Sequence, residues 1–252
     1  MNLKFGPDNV IARVQPGEGE VVNSSIVIAI DGTAASGKSS TARRVAAALG
    51  YVYVDTGAMY RTLAWYCLSR KIDVYDTKAV ASACRRWKTE LTCVEVELRH
   101  VRLLVDGYYP EKEIRTAETS AAVAQVAVVA KVREWMKKVQ RQCIQFGSLV
   151  MEGRDIGTNV FPETDFKFYL DANLEDRSRR READGVTENL AARDHQDSQR
   201  ASAPLMIPLG ARIINNSGMT LEQTANLILE DVRRRVKERD DRMEVERLKP
   251  RW

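Results

Sequence analysis

The chain has few of the residues that build metal or disulfide frameworks. Its 252 residues include only four cysteines and two histidines. Cys67, Cys84, Cys93 and Cys143 form no C-x-x-C pair, and His100 and His195 stand far apart. No zinc site of standard spacing can be assembled from them. Free thiols in a reducing cytosol are expected. Long hydrophobic runs are also missing. The longest strongly apolar stretch, Ala121 to Ala130, is too short to cross a bilayer and contains Gln125. The first residues are mixed polar, so no secretory leader and no membrane partner are expected. Charge of one sign does not dominate. Lys and Arg number 39 against 35 Asp and Glu, a net of +4. The arginines bunch at 177–181, 193–200 and 233–242 instead of forming a stripe, which argues against a nucleic-acid partner. No N-K-x-D run for reading guanine is present. A cytoplasmic, monomeric protein is the expectation.

What is present begins at residues 32–39, GTAASGKS. They follow an apolar run, Ile26 to Ile30 and Asp31, and precede a helix-like run, Thr41 to Leu49. This is G-x-x-x-x-G-K-[ST] between a strand and a helix. Gly32 and Gly37 allow the backbone to curl with its N–H groups inward, and the helix beginning near Lys38 adds its positive dipole end. The loop Gly32, Thr33, Ala34, Ala35, Ser36, Gly37, Lys38, Ser39 and Ser40 is expected to cradle a polyphosphate. Lys38 supplies positive charge, and Ser39 or Ser40 a hydroxyl for Mg²⁺, Ser39 being preferred.

Further strands are expected at Tyr51–Val54, Leu149–Glu152, Phe166–Leu170 and Arg212–Ile214, with helices between them. Residues 73–115 change character and suggest a small α+β insert, with a turn at Asp106-Gly107. Ala117 to Gln145 reads as one long helix, Arg177 to about Leu190 as a charged helix, and 193–204 as a polar segment. The helix after Ser217 and Thr220 is expected to continue as a solvated charged tail. The expected division is an extension over 1–24, a core domain over 25–234 built on the glycine loop, with an insert at about 73–115 and a lid at about 182–204, and a tail over 235–252. Polar triplets fall at strand C-termini: Asp55-Thr56-Gly57 and Gly153-Arg154-Asp155. Ligands bind at that edge of open α/β sheets.

Phosphoryl transfer between two anions needs a cradle, a clamp for the acceptor phosphate, and closing positive charge that excludes water. Acceptor-side candidates are Arg61, Arg133 and Arg154. Arg193 and Arg200 would close, with Asp197 between them to orient a guanidinium. Planar guanidinium forks suit phosphate oxygens.

The motifs IDGTAASGKSS, VDTGAMYR, EIRT, VREWMKKVQR, EGRDIGTNVFP and RDHQDSQRASAPL, in that order, resemble the bacterial-type cytidylate kinases among the nucleoside monophosphate kinases. The resemblance runs from about Ile26 to Leu229. It implies an α/β P-loop NTPase fold with a five-stranded parallel sheet, helices on both faces, an insert on the monophosphate side and a short lid. It implies transfer from ATP, with Mg²⁺, to CMP or dCMP. The resemblance assigns Asp55, Thr56 and Arg61 to the CMP side, Arg133, Arg154 and Asp155 to the cytosine and its phosphate, and Arg193, Asp197 and Arg200 to lid and ribose contacts. Lys38, Arg154, Arg193 and Arg200 are the expected catalytic groups. The chain departs from the family at Ala124, where a serine is frequent, and at Gln196, where some members carry arginine. Arg177, Arg180 or Arg181 could supply the missing closing charge. Glu152 stands in place of a frequent aspartate. A UMP or AMP kinase is the nearest alternative, and a nucleotide-dependent switch a more distant one.

Overall fold

A computed structural model describes residues 25–183, 185 and 189–247. The expected extension 1–24, lid residues 184 and 186–188, and tail residues 248–252 lie outside the described residues. Seven strands form one sheet: β1 Val27–Gly32, β2 Val52–Asp55, β3 Thr89–Glu95, β4 Arg99–Val105, β5 Leu149–Gly153, β6 Phe166–Asp171 and β7 Arg212–Asn215. Their order is β3-β4-β2-β5-β1-β6-β7.

The expected five-stranded sheet is therefore too small. The five expected strands pair in parallel as β2-β5-β1-β6-β7, and the insert adds β4 beside β2 through Tyr53 and His100. Strand β3 pairs antiparallel with β4. Period-two alternation announces a hairpin but not the sheet edge it joins; that edge is chosen by packing.

The β1 run is apolar on both sides because both faces are covered. Successive side chains point to opposite faces. Val27 and Ala29 join Val52, Val54, Leu149 and Met151 in one core layer, against α2 Thr56–Ser69, α3 Thr77–Arg86, α4 Ala117–Ala127 and α5 Ala130–Gln142. Ile28 and Ile30 join Tyr53, Val150, Phe168 and Leu170 in the other, against α1 Lys38–Leu49 and α8 Leu221–Arg247. Helices α6 Leu174–Ala183 and α7 Leu190–Ser198 stand near the C-terminal ends of the strands.

Three helix expectations change. The long helix expected over 117–145 is broken. Val128 is exposed, Val129 adopts an extended conformation as the N-cap of α5, and a short 3₁₀ turn follows at Cys143–Phe146. Adjacent β-branched residues are stiff and lower helix propensity locally, so a break there costs little. The charged helix begins earlier than expected, at Leu174, and ends at Ala183. The polar segment from 193 is helical as far as Ser198, with Asn189 capping α7 by accepting from the Ala192 N–H at 3.0 Å. Helix α8 continues to Arg247, as expected of a charged extension.

Candidate active site

The glycine loop leaves β1 and enters α1 at Lys38. Gly32 lies hard against β6: a Cβ there would collide with the Leu170 carbonyl oxygen. Gly37, at φ 86°, is the left-handed residue that turns the loop into the helix. Ala35 is also left-handed, at φ 56°, although it carries a Cβ. Thr33 Oγ1 donates to Asp171 Oδ1 at 2.9 Å, and the buried Ser36 hydroxyl donates to the Thr33 carbonyl at 3.0 Å. Gly32, Thr33 and Ser36 thus shape the loop from behind. Ala34, Ala35, Gly37, Lys38, Ser39 and Ser40 line a cleft of about 510 Å³.

Lys38 folds back onto its own loop. Its Nζ donates to the Thr33 carbonyl at 2.5 Å and to Ser36 Oγ at 3.3 Å. Burial, then the Arg154 guanidinium, hold its pKa well below the usual lysine range. Glu152 moves the opposite way: burial and the neighbouring Asp55 raise its pKa. Tyr53 and Ser39 both donate to the Glu152 carboxylate, Tyr53 at 3.0 Å. Asp31, fully buried, accepts the N–H groups of Ile156 and Gly157 at 2.8 and 2.7 Å. Burial lifts its pKa to about 7. Those two bonds fix the π-helical turn Ile156–Val160 directly after Arg154 and Asp155.

The residues expected on the acceptor side face this loop. Asp55, Thr56, Arg61, Arg133, Arg154 and Asp155 all line the same cleft. Asp55 caps α2, one Oδ accepting from the Ala58 N–H at 2.7 Å and the other pairing with Arg61 at 3.2 Å. The Thr56 hydroxyl is taken by the Glu152 carbonyl at 2.7 Å, so this residue fastens α2 to β5. Arg154 and Asp155 are not each other's partners. Arg133 pairs with Asp155 at 2.8 Å, where Asn159 Nδ2 also donates. Arg154 Nε donates to Asp197 Oδ2 at 2.9 Å. The break between α4 and α5 aims Arg133: its Nη1 caps the orphan Ala127 carbonyl at 3.3 Å.

In the segment expected to form a lid, Arg193, Asp197 and Arg200 also line the cleft. Asp197 pairs with Arg200 as well as Arg154, so one carboxylate orients two guanidinium groups. Of the three arginines weighed as extra closing charge, Arg180 and Arg181 line the cleft and Arg177 does not. Arg177 is buried beneath the glycine loop. Sequence reasoning missed Tyr60, which lines the cleft with Arg133 above its ring at 5.7 Å, and whose pKa burial pushes up to about 12. Its place one residue before Arg61 was the available signal. Val123 and Ala127, and not Ala124, line the α4 wall.

Among the described residues no group of three or more His, Cys, Asp or Glu could hold a metal ion, and all four cysteines are free. No described helix is long and apolar enough to cross a membrane.

A glycine loop with a buried lysine, facing converging arginines at the C-terminal edge of a parallel sheet, defines a P-loop phosphotransferase. The chain belongs to the cytidylate kinase family, whose profile matches residues 28–234. It is 41% identical over 214 residues to the bifunctional pantoate ligase/cytidylate kinase of Acaryochloris marina, covering 80% of this chain and 41% of that protein. It is 36% identical over 228 residues to the cytidylate kinase of Caldanaerobacter subterraneus subsp. tengcongensis, covering 86% and 99%. With the cytidylate kinase of Geobacillus kaustophilus it shares 38% over 222 residues, covering 84% and 98%. The chain thus spans about two fifths of the length of the bifunctional relative and nearly all of the other two.

Proposed function

We propose that the protein transfers the γ-phosphoryl group of ATP to CMP or dCMP, giving ADP and CDP or dCDP. The observation that carries this reading is that Lys38, Arg61 and Arg154 line one cleft, although their sequence positions span more than a hundred residues. ATP phosphates would lie on the loop amides at the N-terminus of α1. Lys38 would then leave its loop carbonyl for a phosphate oxygen, and the added anion would reverse the loss of basicity that burial imposes on it. Arg61 and Arg154 would hold the acceptor phosphate, and Arg193 and Arg200 would close over the transferring group. A phosphate oxyanion is already a nucleophile, so positioning and charge neutralisation suffice without a general base.

The residues fit Mg²⁺ as a shared ion, not as a protein-caged one. Ser39 and the Glu152 carboxylate form an adjacent oxygen pair at the loop. Together with ATP phosphates and water they would supply the oxygen ligands that this hard cation prefers. When bound, the ion offsets charge on the β- and γ-phosphates.

Asp155 can accept from the exocyclic amine of cytosine, and Arg133 can donate to N3 or O2. Uracil would face the carboxylate with an oxygen, a mismatch typically worth a few kcal/mol. The test is an ADP-release and diphosphate-product assay with ATP, Mg²⁺ and a panel of CMP, dCMP, UMP and AMP. CMP or dCMP is expected to lead. Equal turnover of UMP would overturn the role given to Asp155, and Ala124 in place of the frequent serine makes that comparison informative. A monomer in the cytoplasm, acting on free nucleotides without a nucleic-acid partner, completes the reading.

A further inference from the structure

We infer that Asp194 and Arg177 form a latch that ties the lid to the glycine loop, so that productive transfer depends on the lid being seated. This rests on the kinase reading above. Ala34 is gripped at both of its backbone polar groups. Asp194 Oδ1 accepts its N–H at 2.9 Å. Arg177 Nη1 donates to its carbonyl at 3.1 Å. The same nitrogen donates to Asp194 Oδ2 at 2.5 Å, which closes the triangle. Arg177 is anchored in turn, its Nε donating to the Ala172 carbonyl at 3.0 Å. The guanidinium is buried, so its orientation is set by these partners and not by solvent.

The position of this triangle suggests its purpose. Helix α7 carries two carboxylates three residues apart. Asp194 holds the donor loop, and Asp197, on the next turn, holds Arg154 of the acceptor side. The lid helix therefore bridges both halves of the cleft. Arg193, adjacent to Asp194, lines the cleft, and the latch fixes the part of α7 from which it reaches. A buried ion pair contributes little net stability by itself, because desolvation offsets its attraction. One that joins the lid to the phosphate cradle, across 160 residues of sequence, determines where the lid sits.

The chemical consequence concerns water. In transfer, the bond from the γ-phosphorus to the bridging oxygen breaks, ADP leaves with that electron pair, and a CMP phosphate oxygen forms the new bond. If the lid is unseated, a water oxygen can form that bond instead, giving inorganic phosphate and a proton. Lid closure excludes that competitor. Asp194 and Arg177 touch neither nucleotide; they are positioning residues. Their loss should raise ADP formed without CDP, an effect that a merely stabilising pair would not have.

The experiment measures initial rates of ADP and CDP in one reaction of the full chain with ATP, Mg²⁺ and saturating CMP. In the wild type the two rates should be equal. Asp194→Ala and Arg177→Met should each lower kcat by about tenfold or more, and should raise ADP well above CDP. The double variant should be no worse than the poorer single, since the two residues act as one unit. Should Asp194→Ala not fold, Asp194→Asn serves: it keeps an acceptor for the Ala34 N–H but loses the charge pairing, and its ADP should still exceed its CDP. Variants that melt at lower temperature while the two rates stay equal overturn the latch alone. A wild-type protein that makes no CDP from CMP overturns the kinase reading and the latch with it.

Discussion

On the donor side of the cleft the cradle is one contiguous stretch, Gly32 to Ser40. On the acceptor side the guanidinium groups come from α2, α5, the end of β5 and α7. The two sides also meet the absence of phosphate differently. The loop presents backbone amides, which carry no net charge and need no counter-ion. The acceptor arginines each rest on a carboxylate: Arg61 on Asp55, Arg133 on Asp155, and Arg154 and Arg200 on Asp197. Lys38, the loop's own cation, gives its hydrogen bonds to a carbonyl and a hydroxyl. On the proposed reading, donor binding is built into the local chain path. Acceptor binding is built into an ion-pair network that also holds the molecule together.

The comparison breaks most sharply at Lys38. Lys38→Met should lower kcat by orders of magnitude, because charge neutralisation at the transferring group is the main catalytic resource. Its fold should be unharmed. Burial lowers the lysine's pKa in the folded state, so charging it near neutral pH opposes folding, and methionine removes that opposition. Steady-state kinetics and thermal melting of the same preparation check both halves. Near-normal turnover would refute the assigned role.

Arg133→Met should show the acceptor-side pattern, with function and stability lost together. Arg133 and Asp155 are both buried, and removing one partner strands the other. Breaking such a pair costs about 3–5 kcal/mol. The KM for CMP should rise as well, and discrimination against UMP should shrink. Denaturant unfolding and the acceptor panel measure the two effects. An Arg133→Met protein of unchanged stability would erase the distinction between the two sides.

The smallest effect belongs to the loop backbone. Ala35 holds a left-handed φ of 56°. A Cβ in that conformation is strained, and glycine relieves it at the expense of extra freedom in the unfolded chain. Ala35→Gly should stabilise the fold by about 0.5–1 kcal/mol. Thermal melting should show a rise of a few degrees with ATP kinetics little changed. Destabilisation would mean that the loop path is not what strains Ala35.

Legibility followed the same divide. The glycine loop, the β1 run and α1 are contiguous, and contiguous patterns report local backbone geometry directly. The arginine candidates were legible too, since polar triplets at strand ends sit at the ligand-binding edge. Their partners were not. Arg154 and Asp155 are neighbours in sequence, yet Arg154 pairs with Asp197 and Asp155 with Arg133. The break at Val128 and Val129 that aims Arg133 looked like continuous helix, because a valine pair weakens a helix without forbidding it. Arg177 looked like spare closing charge, and the structure buries it under Ala34.

By itself the sequence determined the path of the glycine loop, the alternation of strands and helices, and the residue types at the strand ends that line the cleft, because each depends on neighbours within one turn or one strand. Tertiary structure alone decided that the insert's hairpin widens the sheet to seven strands. It also decided which carboxylate holds which arginine, and that α7 bridges both halves of the cleft. Those outcomes turn on contacts between residues tens to more than a hundred positions apart. Such contacts are settled by how packed layers bring buried charges together, and no local pattern encodes that.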